Sequence, residues 1–191
     1  MFIQIGAKPE SDFSEPLGML TDCHRRIKFF LSDLVRLAED AGEPLDAERR
    51  RALERALRYF QESGPRHTAD EEESLFPRLR AKHDPRLNDA LERIKELESD
   101  HDRADIGHAE VDAIGNSWLA AGTLGSDDAA RLRSVLRDLS ELYEHHIGVE
   151  DTQLFPVAAS LLSGEDQLAV GREMAERRGL SATVVGEKSR R

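Results

Sequence analysis

The sequence predicts an all-α protein: an antiparallel up-down-up-down four-helix bundle with a short N-terminal arm and a C-terminal helix. Three observations predict it. The 191 residues are rich in Ala, Leu, Glu and Arg and poor in β-branched types, which favours helix over strand. Apolar residues recur at threes and fours along four long stretches joined by short polar links. One pattern occurs twice, 79 residues apart: His67-x-x-x-Glu71 followed by Leu75-Phe76-Pro77, and His146-x-x-x-Glu150 followed by Leu154-Phe155-Pro156.

Taken in order, residues 1–15 read as an arm. Phe2, Ile3 and Ile5 can pack on the body, while Pro9 and Pro16 oppose a helix before 16. The first helix is expected over about 16–41, with Pro16 at its first position and Gly42 after its end. Leu17, Leu20, Ile27, Leu31, Leu34 and Leu37 form its stripe, and His24 falls on that stripe, where a polar group needs a partner. Asp46 caps the second helix, whose inner face carries Leu53, Leu57 and Phe60. Ser63-Gly64-Pro65 is expected to interrupt or kink it, and Pro77 to bend its last turn near 81. Residues 82–86, including His83, form a loop. The third helix, about 87–120, places Leu91, Ile94, Leu97, His101, Ala104 and His108 at helical spacing. Ser126 or Asp127 caps the fourth, which carries Leu132, Val135, Leu139 and Leu142 and the second motif to about 162. A short amphipathic helix follows to about 178, and 179–191 ends in Lys188, Arg190 and Arg191 as a polar, basic tail. The expected organisation is therefore an arm (1–15), a bundle (16–162), and a helix with a tail (163–191).

Composition narrows function. The net charge of −11 opposes non-specific binding to nucleic acid or anionic lipid. There is no run of about twenty apolar residues for a membrane span. A single cysteine, Cys23, forms no internal disulfide framework and fits a reducing cytosol, and the first residues do not read as a signal peptide. A cytoplasmic location is expected.

The repeated motif carries the chemistry. Residues four apart on a helix share a face, so each copy turns an imidazole and a carboxylate toward one point. One such pair in a Glu-rich helical chain is ordinarily a solvated salt bridge. Its duplication, with a lone His on each preceding apolar stripe, points to a metal centre of His24, His67, Glu71, His101, His146 and Glu150, two cations sharing six donors. Buried without metal, the two carboxylates and four imidazoles would cost roughly several kcal/mol each unless neutral. Imidazole with carboxylate suits iron, manganese or zinc. Which His serves which metal stays open at this stage. Phe76 and Phe155 are expected to wall the site. Glu72 and Asp151 read as acceptors for a ligand imidazole or as exposed charge. Tyr59 and Tyr143 are candidates to approach the site, or ordinary core residues. His108 reads first as a core or surface residue, His145 as exposed or outside the ligand set, and His83 as solvated.

These residues resemble the hemerythrin-like, or HHE cation-binding, domain over roughly 16–162. His24, His67-x-x-x-Glu71, His101 and His146-x-x-x-Glu150 match the family's ligand positions in order. The resemblance implies an antiparallel four-helix bundle holding two iron ions, oxo- or hydroxo-bridged, with both Glu bridging and the His terminal. It also implies a small diatomic ligand, oxygen or nitric oxide, or iron itself, bound or sensed; an enzyme reducing peroxide or nitric oxide is the alternative. A structural or interaction role through 1–15 and 163–178 is a third class. One departure matters. The family's oxygen carriers have His-x-x-x-His on the third helix, whereas here His101 is followed four residues on by Asp105. That leaves a water-filled or open position, or lets Asp105 bind, and it weighs against simple oxygen carriage. Four His and two Glu are similar to the family's iron-sensing and iron–sulfur-repair members, but residues 1–15 lack the cysteine of the repair proteins.

Overall fold

The computed structural model describes residues 10–82 and 84–181; the expected packing of Phe2, Ile3 and Ile5, the loop residue His83 and the basic tail lie outside them. Four rods make the bundle. The first is α1 (Pro16–Glu39). The second runs continuously through α2 (Ala47–Ala69), a π-helical turn (Asp70–Leu75) and α3 (Phe76–Arg80). A 3₁₀ turn (Pro85–Leu87) leads into the third, α4 (Asn88–Ala121). The fourth is α5 (Ser126–Val149), a second π-helical turn (Glu150–Leu154) and α6 (Phe155–Leu161). A last helix, α7 (Gly164–Arg177), packs across the first π-turn and α1.

Local chemistry sets these boundaries. Pro16 opens α1 at a position where a missing N–H costs nothing. Asp46 caps α2, its Oδ1 accepting from the N–H groups of Glu48 and Arg49 at 2.8 Å each. Gly122 ends α4 at φ 82°, the left-handed conformation that favours glycine. Ser163 and Asp166 form a reciprocal capping box on α7. At the start of α5 the cap residue is Gly125, with no side-chain bond, so Ser126 and Asp127 lie inside the helix rather than capping it.

α1 packs on α2 and α5, and α4 packs on α2 and α5, closing a ring of four. The α1–α2 and α4–α5 links meet at one end, where Leu45 N–H donates to Gly122 O (2.8 Å) and Leu124 N–H to Ala41 O (3.0 Å). Two short-linked hairpins with their links together give the antiparallel arrangement.

The interior divides into two apolar blocks. One holds Ile27, Leu34, Leu57, Trp118, Leu136 and Ile147 near the paired links. The other holds Leu20, Phe76, Ile94, Leu97, Phe155 and Met174 beneath α7. His24 lies between Leu20 and Ile27, and His101 between Leu97 and Ala104, so both sit in the layer separating the blocks.

Candidate metal centre

The two π-turns are the local feature that builds this layer. In each, the N–H of the Phe donates to the carbonyl of the Glu five residues earlier: Phe76 to Glu71 and Phe155 to Glu150. The following Pro77 and Pro156 have no N–H for the carbonyl four residues back, so one rung of the α-ladder cannot form. The turn widens at the carboxylate. The bend expected at Pro77 is thus a π-turn beginning at Asp70, and it recurs before Pro156. The Phe-Pro pair following the motif carried that signal.

All six predicted donors come together and are buried. They fall into two groups, each with its donor atoms within 4.8 Å of one another: His24, His67, Glu71 and Glu150; and Glu71, His101, His146 and Glu150. The two His of one hairpin face one point and the two His of the other face a second, while both Glu belong to each group. The grouping is thus by hairpin. Donors about 2.1 Å from one ion lie roughly 3–4 Å apart, so the groups are the size of coordination shells. His24 Nε2 lies 3.1 Å from Glu150 Oε2 and 3.8 Å from Glu71 Oε1; His101 Nε2 is 3.3 Å from Glu71 Oε2, and His146 Nε2 is 3.2 Å from Glu150 Oε2.

Buried polar atoms normally find partners. Here His24 Nε2, His101 Nε2, one ring nitrogen of His67, both of His146, and all four carboxylate oxygens of Glu71 and Glu150 make no hydrogen bond. A cluster of unpaired donors pointing inward is the chemistry of a cation site.

What holds the imidazoles comes from across the bundle. His24 Nδ1 hydrogen-bonds Asp151 Oδ1 at 2.9 Å, and Asp151 also accepts from Thr21 Oγ1 at 3.2 Å. His101 Nδ1 hydrogen-bonds Glu72 Oε1 at 2.7 Å. Phe155 stacks on His24 (5.4 Å between centroids, 12° between planes), and Phe76 lies parallel to His101 at 6.5 Å. So the residue after the Glu, and the Phe, of each motif grip the lone His of the opposite hairpin. Glu72 and Asp151 are acceptors, and the two Phe do wall the site. His146 Nδ1 has only Asp100, at 3.6 Å, beyond hydrogen-bonding range.

The electrostatics follow. Burial disfavours the imidazolium of His24, yet the adjacent Asp151, Glu150 and Glu71 carboxylates push its pKa up to about 11. His101 is pushed up to about 9 against the same burial by Glu71 and Glu72. Burial holds His67 down. Burial opposes ionisation of Glu71, but the facing His67, His101 and His24 hold its carboxyl well below the usual range. Without a cation, protons supply the positive charge these carboxylates require.

A cavity of about 270 Å³ opens beside His67, His101 and His146, between α2 and α4. Ile27, Leu57, Phe60 and Val111 give it apolar walls; Asp105, His108 and Tyr143 give it polar ones. Asp105 is exposed and belongs to neither donor group, so it lines the approach instead of completing a shell. His108 is no ordinary surface residue: it stacks on Phe60 (4.2 Å, 23°) and its Nε2 bonds the Tyr143 hydroxyl at 2.9 Å. Tyr59 turns elsewhere, stacking on Phe30 with its hydroxyl donating to Cys23 O at 3.4 Å. His145 is exposed. Cys23 is buried beside the Arg26 guanidinium, outside both donor groups, and burial raises its thiol pKa.

Residues the sequence did not single out also bear on the site. Asp70, wholly buried ahead of Glu71, pairs with Arg177 and Arg178 at the end of α7.

Compared with known proteins, residues 15–158 match the family described as the Hemerythrin HHE cation binding domain. None of the curated proteins matches the chain.

Proposed function

Because the chain belongs to the hemerythrin family of HHE cation-binding domains, we propose that its six inward donors hold two metal ions, and that the loaded centre binds or senses a small diatomic ligand. The observation that carries this is the two buried donor groups drawn from His24, His67, Glu71, His101, His146 and Glu150, in which the Nε2 atoms of His24, His101 and His146 and all four carboxylate oxygens have no hydrogen-bond partner among the described residues. His24 and His67 would hold one ion and His101 and His146 the other, with Glu71 and Glu150, common to both groups, available to each. Iron is the metal the family favours; the donor set also accepts manganese or zinc. When bound, a redox-active pair supplies reversible electron transfer and a position for an oxygen- or nitrogen-containing ligand.

The chain does the rest. Asp151 and Glu72 fix the orientation of His24 and His101. The apolar blocks exclude bulk water from the layer between them. The cavity admits a small molecule to the His67, His101 and His146 side. One observation favours the second reading, a reductase for peroxide or nitric oxide: burial raises the Tyr143 pKa, so its hydroxyl stays protonated, and it lines the cavity bonded to His108. A held proton beside a reducible ligand is what such a reaction consumes.

Anaerobic addition of oxygen, peroxide or nitric oxide to the ferrous protein separates the readings. A reversible change of colour supports binding, repeated turnover once an added electron donor re-reduces the centre supports reduction, and a silent spectrum with all three overturns both. The ligand assignment has its own test: Glu71→Ala with Glu150→Ala is expected to bring metal content near zero while helix remains, and wild-type metal content would refute it.

A further inference from the structure

We propose that α7 is a clamp on the first π-turn, and that Arg177 and Arg178, acting through Asp70, are positioning residues for Glu71. The inference rests on Glu71 being a metal ligand, as proposed above.

Asp70 precedes Glu71 and its carboxylate is wholly buried. Two guanidiniums from the end of α7 close on it. Arg177 Nη1 donates to Oδ1 at 3.0 Å; Arg178 Nη1 and Nη2 donate to Oδ1 and Oδ2 at 3.2 and 2.8 Å. Arg177 continues along the turn, donating to Ser74 Oγ at 2.8 Å and to Glu73 Oε2 at 3.2 Å. Arg78 ties the far end, donating to Ser74 O at 2.8 Å and to both carboxylate oxygens of Glu173 on α7 at 3.0 and 2.7 Å. The turn is thus held from 70 to 74 by charge-assisted bonds, the stronger kind.

The second π-turn shows that the clamp is not needed to make the turn. There Val149 stands in place of Asp70, Thr152 in place of Glu73, and Gln153 in place of Ser74. Val149 is buried in the apolar block, and the turn forms all the same. Asp70 alone sets a charge where the second copy has an apolar residue, and it falls where α7 reaches; α7 lies beyond residues 15–158, the span matched to the family. What the clamp adds is a fixed position for Glu71, whose carboxylate belongs to both donor groups. α7 is itself firmly seated. Val170, Met174 and Ala175 are buried, and Lys82 Nζ donates to Asp166 at 2.6 Å.

The test is iron release from the loaded, full-length protein to excess chelator, with iron per chain and the absorption spectrum recorded alongside. Asp70→Asn and the pair Arg177→Ala with Arg178→Ala are expected to release iron roughly tenfold faster, the usual size of an effect on a residue that orients a ligand. Both should also show an altered spectrum. Lys at both arginine positions keeps the charge and is expected to recover part of the retention. Lys82→Ala, which loosens α7 away from Asp70, should stay near wild type. Should the alanine pair lose helix when metal-free, Asp70→Asn, which keeps the shape, decides. Wild-type release and spectrum in Asp70→Asn overturn the clamp and leave the ligand assignment standing. A wild-type protein that takes up no metal overturns the assignment, and the clamp with it.

Discussion

His24 and His101 each occupy a slot made by the other hairpin: a carboxylate on Nδ1 and a phenyl ring on the face. Sequence spacing could place the histidines but left Asp151 and Glu72 undecided. One residue on from a ligand is about 100° round the helix, away from the ligand's own face. It is the neighbouring rod, invisible in a linear pattern, that brings the lone His to that side. Because these acids aim Nε2 inward, Asp151→Asn or Glu72→Gln is expected to weaken metal binding on the order of 10- to 100-fold, measured by competition with a chelator of known affinity. Unchanged affinity would mean that packing alone orients the rings. His108 offers a second test, apart from the donors. Burial lowers its pKa to about 4 from an ordinary 6.5. The unfolded chain therefore takes up a proton that the folded one refuses, so stability present above about pH 6.5 is lost as pH falls toward 4. His24 and His101, whose pKa values are raised, act in the opposite sense in both proteins, so between pH 7 and pH 5 the metal-free wild type should lose more urea resistance, or gain less, than His108→Gln. Equal changes in the two would place the pH sensitivity elsewhere.

At the scale of elements, caps and stripes were legible because they are local: Pro16, Asp46 and the seam through Leu20, His24, Ile27 and Leu31 behave as their spacing requires. Three features were not. Ser63-Gly64-Pro65 was expected to interrupt or kink α2; it does not interrupt it, for α2 runs through Pro65 to Ala69. Proline inside a helix costs about 3 kcal/mol. Leu57 and Phe60, buried one to two turns before it, pack this helix into the core and offset part of that cost. The π-turns were hidden because they need both a proline and a carboxylate drawn inward from across the bundle. The seat of α7 was hidden as well, since it depends on a close approach between distant residues. A Cβ on Gly171 would meet the Phe13 carbonyl oxygen at 1.8 Å, against backbone that cannot swing aside. Gly171→Ala should therefore push α7 off the turn at 10–15, costing roughly 1–3 kcal/mol, the usual range for overpacking. Thermal denaturation of the metal-free protein would measure it. If the clamp holds, the same variant should also release iron faster; an unchanged melting temperature would show that the segment around Phe13 yields.

For the whole molecule, two hairpins from one repeated pattern could be read directly, because repetition and apolar period survive in one dimension. Which His shares an ion with which could not be, since rotation of one hairpin against the other decides it. The rotation found puts both His of a hairpin in one donor group and both Glu in each of the two groups. The consequence is thermodynamic. Without metal, the layer between the two apolar blocks buries carboxylates against imidazoles, which holds the Glu71 pKa down and pushes those of His24 and His101 up. Such a layer is tolerated only because the blocks above and below are well packed. A ligand that binds the folded chain alone stabilises it in proportion to the logarithm of its excess over Kd, about 4 kcal/mol at a thousandfold excess. For a chain of this size each kcal/mol shifts Tm by about 2–4 °C. Removal of metal with a chelator is therefore expected to lower Tm by roughly 8–16 °C, with most helix retained at 25 °C by circular dichroism. Restoring metal should restore Tm. The shift should nearly vanish in Glu71→Ala with Glu150→Ala, since that variant has lost the carboxylates that belong to both donor groups. A chelator shift of full size in the double variant would mean that the stabilising ion binds somewhere other than between the hairpins.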